Sequence, residues 1–458
     1  MGIKNRLIIM SFLQFFVWGA WLITIANYWF GTKNWDGTQF GLVFGTMGIA
    51  SLFMPTLTGI MADRWINAEK LYGVLHVLYA GVLFYIPQVT TPDNFIYIML
   101  LAMCFYMPTI ALSNSISYNA LKLNNKDVIK NFPPIRVWGT VGFIAAMWIT
   151  NLTGNKATEY QFYIAGLAAV GLGLYSFTLP PCKPQRLSKE NASLMETLGL
   201  ESFKLFADYK MALFFVFSMF LGGALQLTNA YGDVFLDEFK HFPKYADSFV
   251  VEYSTIIMSI SQISETLFIL AIPFFLKRFG IKQVMLISML AWVLRFGLFA
   301  YGNPTSGLWM IIMSCVVYGM AFDFFNISGS LFVETNTDAK NRSSAQGLFM
   351  MMTNGFGAVL GSFTSGWAID KYFTESFSNT ADLAAFLQTD VLNSKMIDFV
   401  TNQGKTIGTD GLFNSVILMK DWHTIWLAFA IYALIIAVAF AILFKHKHNP
   451  QDIENVSH

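Results

Sequence analysis

Runs of about twenty apolar residues recur along this chain, and no other feature limits its fold as severely. A helix needs about 20 mainly apolar residues to cross the hydrocarbon of a bilayer. Lipid offers backbone groups no hydrogen bonds, so a spanning segment must satisfy them internally, as a helix does. Candidate runs fall at 7–30, 38–62, 71–90, 95–121, 134–152, 160–180, 211–234, 250–276, 281–301, 307–333, 344–369 and 422–444. That is six runs, a polar gap, then six more. The run 7–30 is read as the first span and not as a removed leader, because no small-residue cleavage site follows a short apolar core. Composition agrees: charged residues make up only 12 % of the 458 residues, about half of what a water-facing surface requires. A net charge of +1 argues against a nucleic-acid partner, which would demand a strong basic excess. The bilayer itself is the expected surrounding.

The gap from Pro181 to Lys210 carries Lys183, Arg186, Lys189, Glu190 and Lys204. It is too polar to span and reads as a linker between two halves. The predicted organisation is therefore a six-helix bundle over 1–180, a linker over 181–210, a second six-helix bundle over 211–445 and a tail over 446–458. Cytoplasmic loops collect Lys and Arg. Placing the N-terminus inside puts Arg64, Lys70, Lys122, Lys126, Lys130, Lys277, Arg278 and Lys282 on the inner side and leaves few basic residues in short outer loops. Both termini are thus expected in the cytoplasm. The segment 371–421, between the last two runs, is a long outer loop of mixed polarity. Within it, 381–387 and 390–399 have the composition of short helices.

Charges inside a span are costly, by roughly 2.5–3.5 kcal/mol or more at the bilayer centre, so each is a candidate for function. Few exist here. The eighth run holds Gln262 and Glu265, three apart and so on one helix face. The tenth holds Tyr318, Phe322, Asp323 and Asn326, and the seventh Gln226 and Asn229. The fifth opens with Arg136, Thr140 and Phe143 at i, i+4 and i+7. Amides in membrane helices often only join helices, aromatics often only fill a core, and Arg136 has the option of reaching the headgroups. Arg295 in the ninth run reads as structural, paired or snorkelling. Glu265 and Asp323 resist such readings: each lies mid-run without a basic neighbour on its own helix.

Two carboxyls, several amides and aromatic faces suit a neutral polar ligand. An amide offers donor and acceptor together, matching a nucleobase edge. Carboxylates accept from sugar hydroxyls, and rings stack on bases. A desolvated carboxyl also exchanges a proton near neutral pH. A nucleoside or a sugar would satisfy this set. The cysteines Cys104, Cys182 and Cys315 have no disulfide or metal-ligand spacing. Neither H-E-x-x-H nor G-x-S-x-G occurs, so no enzyme, cofactor or metal is expected.

The chain resembles the bacterial nucleoside–proton symporters of the major facilitator superfamily. The resemblance runs along nearly its whole length. It is carried by Ser11-Phe12-Leu13-Gln14-Phe15 with Trp18-Gly19, Phe132-Pro133-Pro134-Ile135-Arg136-Val137-Trp138-Gly139-Thr140, Ile256–Pro273, Phe322–Ser330 and Ser344-Ala345-Gln346-Gly347. The turn containing Gly59, Asp63 and Arg64 is similar to the superfamily's cytoplasmic gating motif. The resemblance implies an all-α membrane protein of twelve transmembrane helices in two six-helix bundles, the major facilitator fold, acting as a single chain in a bacterial inner membrane. It implies proton-coupled uptake of purine and pyrimidine nucleosides by alternating access. Carried onto this sequence, the substrate positions are Arg136, Thr140, Phe143, Gln226, Asn229, Gln262, Glu265, Tyr318, Phe322, Asp323 and Asn326, with Asp323 ahead of Glu265 for the proton. The long segment 371–421 departs from the pattern, where a short connection is expected.

Overall fold

Helix dominates the computed structural model, which describes residues 2–184, 200–337, 342–392 and 394–446. Most of the linker and tail, and Lys340, lie outside the described residues. Among the described residues, eight helices are long and apolar enough to cross a membrane: Gly37–Arg64, Ala68–Gln88, Pro92–Leu123, Lys130–Leu152, Tyr209–His241, Ser254–Tyr301, Leu308–Asn336 and Trp422–Leu443. The helices are labelled α1 (Ile3–Gly19), α2 (Gly37–Arg64), α3 (Ala68–Tyr85), α4 (Pro92–Leu123), α5 (Val128–Leu152), α6 (Tyr160–Ser176), α7 (Tyr209–Glu238), α8 (Ser254–Tyr301), α9 (Leu308–Asn336), α10 (Arg342–Met350) and α11 (Ala358–Tyr372). A π-helical stretch, Met351–Gly357, joins α10 to α11.

Several predicted boundaries change. The run 7–30 is not one continuous helix: α1 ends at Gly19, and a π-helical turn covers Asn27–Thr32. α5 begins at Val128 and so carries Pro133 and Pro134 inside it, past the first turn, where each lacks the N–H that would bond the carbonyl four residues back. The runs 250–276 and 281–301 join as α8, broken at Gly280, whose φ of 76° is a backbone state that glycine reaches without a Cβ clash.

The segment 371–421 is not purely helical. It holds α12 (Thr380–Phe386) and α13 (Ser394–Asn402), and two strands that the sequence did not announce, β1 (Thr374–Asn379) and β2 (Leu412–Lys420). The strands pair antiparallel, with Phe377 opposite Ile417. The inward side chains Phe377, Leu383, Met396, Val400, Phe413 and Ile417 form a separate small core. A final helix, α14 (Trp422–Leu443), completes the chain.

α1 packs on α5 and α6, α2 on α4, and α3 on α4 and α6. In the C-terminal half α8 packs on α9 and α14, and α7 on the π-helical stretch and α11. The halves meet chiefly where α2 lies along α11 and the π-helical stretch and where α8 crosses α5, with lighter contacts of α7 to α2 and to the Asn27–Thr32 turn. The α2–α11 contact is backbone on backbone. A Cβ on Gly41 would sit 2.2 Å from the Ser362 carbonyl, and one on Gly366 would sit 2.4 Å from that of Gly37. Small residues of this kind are what lets membrane helices approach closely.

The polar bonds between the halves gather toward the end that carries β1 and β2. There Asn27 Nδ2 donates to Asp233 Oδ2 at 2.5 Å, and Lys156 pairs with Asp237 at 2.7 Å. Asn151 donates to the Glu252 carbonyl at 2.9 Å and Trp148 to Ser259 Oγ at 2.8 Å. Asp370 of α11 accepts from the Gly37 amide and the Thr38 hydroxyl of α2.

Candidate functional site

Four helices bring the predicted site residues to the interior between the halves. On α5, Arg136, Thr140 and Phe143 keep the shared stripe expected of them. The Arg136 guanidinium does not reach outward for headgroups: it lies 4.0 Å from the Phe15 ring centroid. Its charge acts on Glu265 of α8 without a direct ion pair. Phe143 is buried and meets the Trp18 ring edge-on at 6.2 Å.

On α7, Gln226 is buried and Asn229 half-buried, while Gln262 and Glu265 are half-buried on α8. On α9, Tyr318 and Phe322 stack nearly parallel, 10° apart with centroids at 6.0 Å. Asp323 is 5 % exposed, and its charge interacts with Glu265. The Tyr318 phenol feels Glu265, Asp323 and Arg295 together. Phe322 and Asn326 line a narrow slot of about 20 Å³ with Trp292, Thr353 and Asn354, which is room for about one water molecule.

Gln226 Oε1, Gln262 Oε1, Asp323 Oδ2 and Trp18 Nε1 are buried without a partner. A buried polar atom left unpaired costs about 1–3 kcal/mol, and these four sit on helices that line the interior between the halves. Such a cost is consistent with a polar ligand that pairs with these atoms. The arrangement offers acceptors, an aromatic shelf and two interacting carboxyls, with Arg136 contributed from the other half.

Three features escaped the sequence reading. Arg295 does not snorkel and pairs with no carboxylate. It is 0 % exposed and donates to Thr228 Oγ1 at 3.2 Å, Ser261 Oγ at 3.4 Å and the Ser314 carbonyl at 2.6 Å. Its guanidinium lies 4.7 Å from the Tyr318 ring centroid, and Nη2 has no partner. Thr353 and Asn354 reach the slot because the π-helical stretch turns them inward; such stretches often mark functional sites, but apolar periodicity does not reveal them. Trp18 was visible only as part of a family-like stretch. Gly59, Asp63 and Arg64 close α2 at the far end; Asp63 and Arg64 are exposed, and none is hydrogen-bonded to the site group. Among the described residues, no cluster of His, Cys, Asp and Glu could hold a metal ion.

The sequence pattern of the family described as "Nucleoside H+ symporter" matches residues 1–387. The chain belongs to this family. It is 48 % identical to the xanthosine permease of Escherichia coli K12 over 99 % of both chains. It is 45 % identical to the nucleoside permease NupG of the same organism over 100 % of both. The crystal structure of the nucleoside transporter NupG superposes with a TM-score of 0.82 at 45 % identity, covering 98 % of this chain and 100 % of that one. Membership in the symporter family makes the chain a multi-pass membrane transporter and not an enzyme.

Proposed function

We propose that this symporter takes up purine and pyrimidine nucleosides with protons across a bacterial inner membrane, as a single chain working by alternating access. The observation that carries the site assignment is Asp323, buried on α9 with an unpartnered oxygen and within electrostatic reach of a second carboxyl, Glu265. Gln226, Asn229, Gln262 and Asn326 contact the base or ribose, Glu265 and Asp323 the ribose hydroxyls, and Phe143 and Phe322 the flat ring. Arg136 and Thr140 close the site from the other half. Asp323 carries the proton, with Glu265 its electrostatic neighbour.

Twelve spans follow if the arms of α8 on either side of Gly280 are taken separately, α1 and α6 are included and α10–α11 are taken as one. They form bundles over 1–180 and 211–445, with both termini cytoplasmic and β1–β2 outside. In that orientation the polar bonds between the halves close the outer end, so the conformation is closed to the outside. Gly59, Asp63 and Arg64 serve the inner gate.

The test is uptake of radiolabelled uridine and adenosine into cells or vesicles, with and without a proton uncoupler. Accumulation that collapses with the uncoupler is expected; no accumulation of either nucleoside sinks the proposal. Asp323→Asn is expected to abolish proton-driven accumulation while exchange of bound nucleoside persists. If Glu265→Gln behaves that way instead, the proton belongs to Glu265.

A further inference from the structure

A second cavity, of about 230 Å³, lies at the β1–β2 end, where the halves are bonded together. Its walls come from three places: Asn27, Phe30 and Asn34 after α1, Asp237 to His241 at the end of α7, and Lys395, Asp398 and Phe399 on α13 of the 371–421 segment. It is distinct from the site on α5, α7, α8 and α9, with which it shares no residue.

The polar atoms facing this cavity are of two kinds. The charges nearest the wall are already matched. Asp237 is paired with Lys156 at 2.7 Å and Lys240 at 2.5 Å. Glu238 is held by Lys420 at 2.8 Å and by the Trp422 indole at 2.7 Å, and Lys395 by Asp247 at 2.5 Å. The neutral groups are not matched. His241 is 3 % exposed, and neither ring nitrogen has a partner; Asn27 is 1 % exposed, and its Oδ1 has none. The His241 ring lies against Phe399 with centroids 4.3 Å apart. Asp398 stands exposed at the mouth.

Apart from Asp398 at the mouth, the wall charges are matched and leave little attraction for an ion. Unmatched neutral donors and acceptors beside aromatic rings favour a flat, uncharged, hydrogen-bonding solute. The cavity adjoins the Asn27–Asp233 bond, one of the contacts that must part for a solute to pass inward. We propose that it is an outer loading site for nucleosides, built in part by α13, which holds the solute before the halves separate. The base lies along Phe399 and His241, and the ribose faces Asn27, Asn34 and Asp398. This assignment rests on the nucleoside-uptake reading and gives the 371–421 segment a task.

A loading site on one side of the membrane affects the two directions of transport unequally. In sealed vesicles, Phe399→Ala and His241→Ala should each raise the half-saturation concentration for uridine or adenosine uptake at least fivefold. Maximal rates and the half-saturation for exit should stay within twofold, and Phe399→Tyr should restore uptake. An unchanged uptake half-saturation, or an equal shift in both directions, overturns the proposal. So that a poorly folding variant does not decide the matter, Phe399→Trp supplies an optical probe. Its fluorescence should respond to uridine, and should still respond when combined with Asp323→Asn; no response in either protein overturns the loading site. A wild-type protein that carries neither nucleoside would instead remove the uptake reading beneath it.

Discussion

Each half of the molecule buries one large polar cluster, and the two are built on opposite terms. In the N-terminal half Gln14 is fully matched: its Nε2 donates to Thr109 Oγ1 at 2.9 Å, its Oε1 accepts from Tyr72 at 2.6 Å, and its carbonyl accepts from Tyr106 at 2.8 Å. In the C-terminal half Arg295 is buried without a carboxylate, and Gln226, Gln262 and Asp323 each keep an atom unpaired. A network satisfied but for His76 Nε2 ties α1, α3 and α4 into one arrangement and leaves little capacity for a ligand. An unsatisfied one costs stability and retains capacity. The N-terminal cluster therefore reads as architecture and the C-terminal one as machinery.

The sharpest way to break this contrast is Asp323→Asn, expected to lower proton-driven nucleoside accumulation at least tenfold with little change in folded yield. Loss of folded protein without a specific loss of coupling would make Asp323 architectural after all. Next is Arg295→Met. It removes a buried charge but strips Thr228 and the Ser314 carbonyl of a donor, so uptake is expected to fall several-fold as Tyr318 loses its support. Rescue of uptake by Arg295→Lys would assign the effect to charge, and failure of rescue to guanidinium geometry, since the two side chains are not interchangeable. Gln14→Leu is expected to act the other way round: it leaves the Tyr72 hydroxyl unpaired, while Thr109 keeps its bond to the Tyr106 carbonyl, and costs about 1–3 kcal/mol, read as a lower melting temperature in detergent with an unchanged half-saturation. A raised half-saturation would move Gln14 into the machinery. The smallest effect belongs to Lys395→Ala, which removes an exposed pair with Asp247; such pairs contribute about 0–1 kcal/mol, so melting should barely move.

How much of this was legible beforehand depends on what hydropathy measures. It reports whether a segment can lie in lipid, so the long apolar helices were readable. It does not report which way a side chain turns about its helix. Arg295 and Arg136 therefore both read as candidates for snorkelling, although one is sealed behind Tyr318 and the other lies on Phe15. Spacing did recover the shared faces of Gln262 with Glu265 and of Asp323 with Asn326, because i, i+3 proximity is a local property of any helix. The slot residues Thr353 and Asn354 were out of reach, since a π-helical register departs from the 3.6-residue period on which the reading relied. β1 and β2 were missed because their pairing joins residues about 40 apart, from Thr374↔Lys420 to Asn379↔Leu412, across a segment with no strong alternation of its own.

The contact of α2 with α11 has a mechanical consequence. Where Gly41 meets Ser362 and Gly366 meets Gly37, backbone meets backbone, so beyond the Asp370 clasp on Gly37 and Thr38 the surfaces behave like a smooth bearing and not like meshed gears. Rolling one helix over the other then breaks few knob-and-socket contacts, and resistance to rocking is concentrated in the polar bonds at the β1–β2 end. A single methyl group placed in the bearing, as in Gly41→Ala, would act as a wedge against a carbonyl 2.2 Å away. It would change how far the halves can tilt without touching any residue that meets the solute.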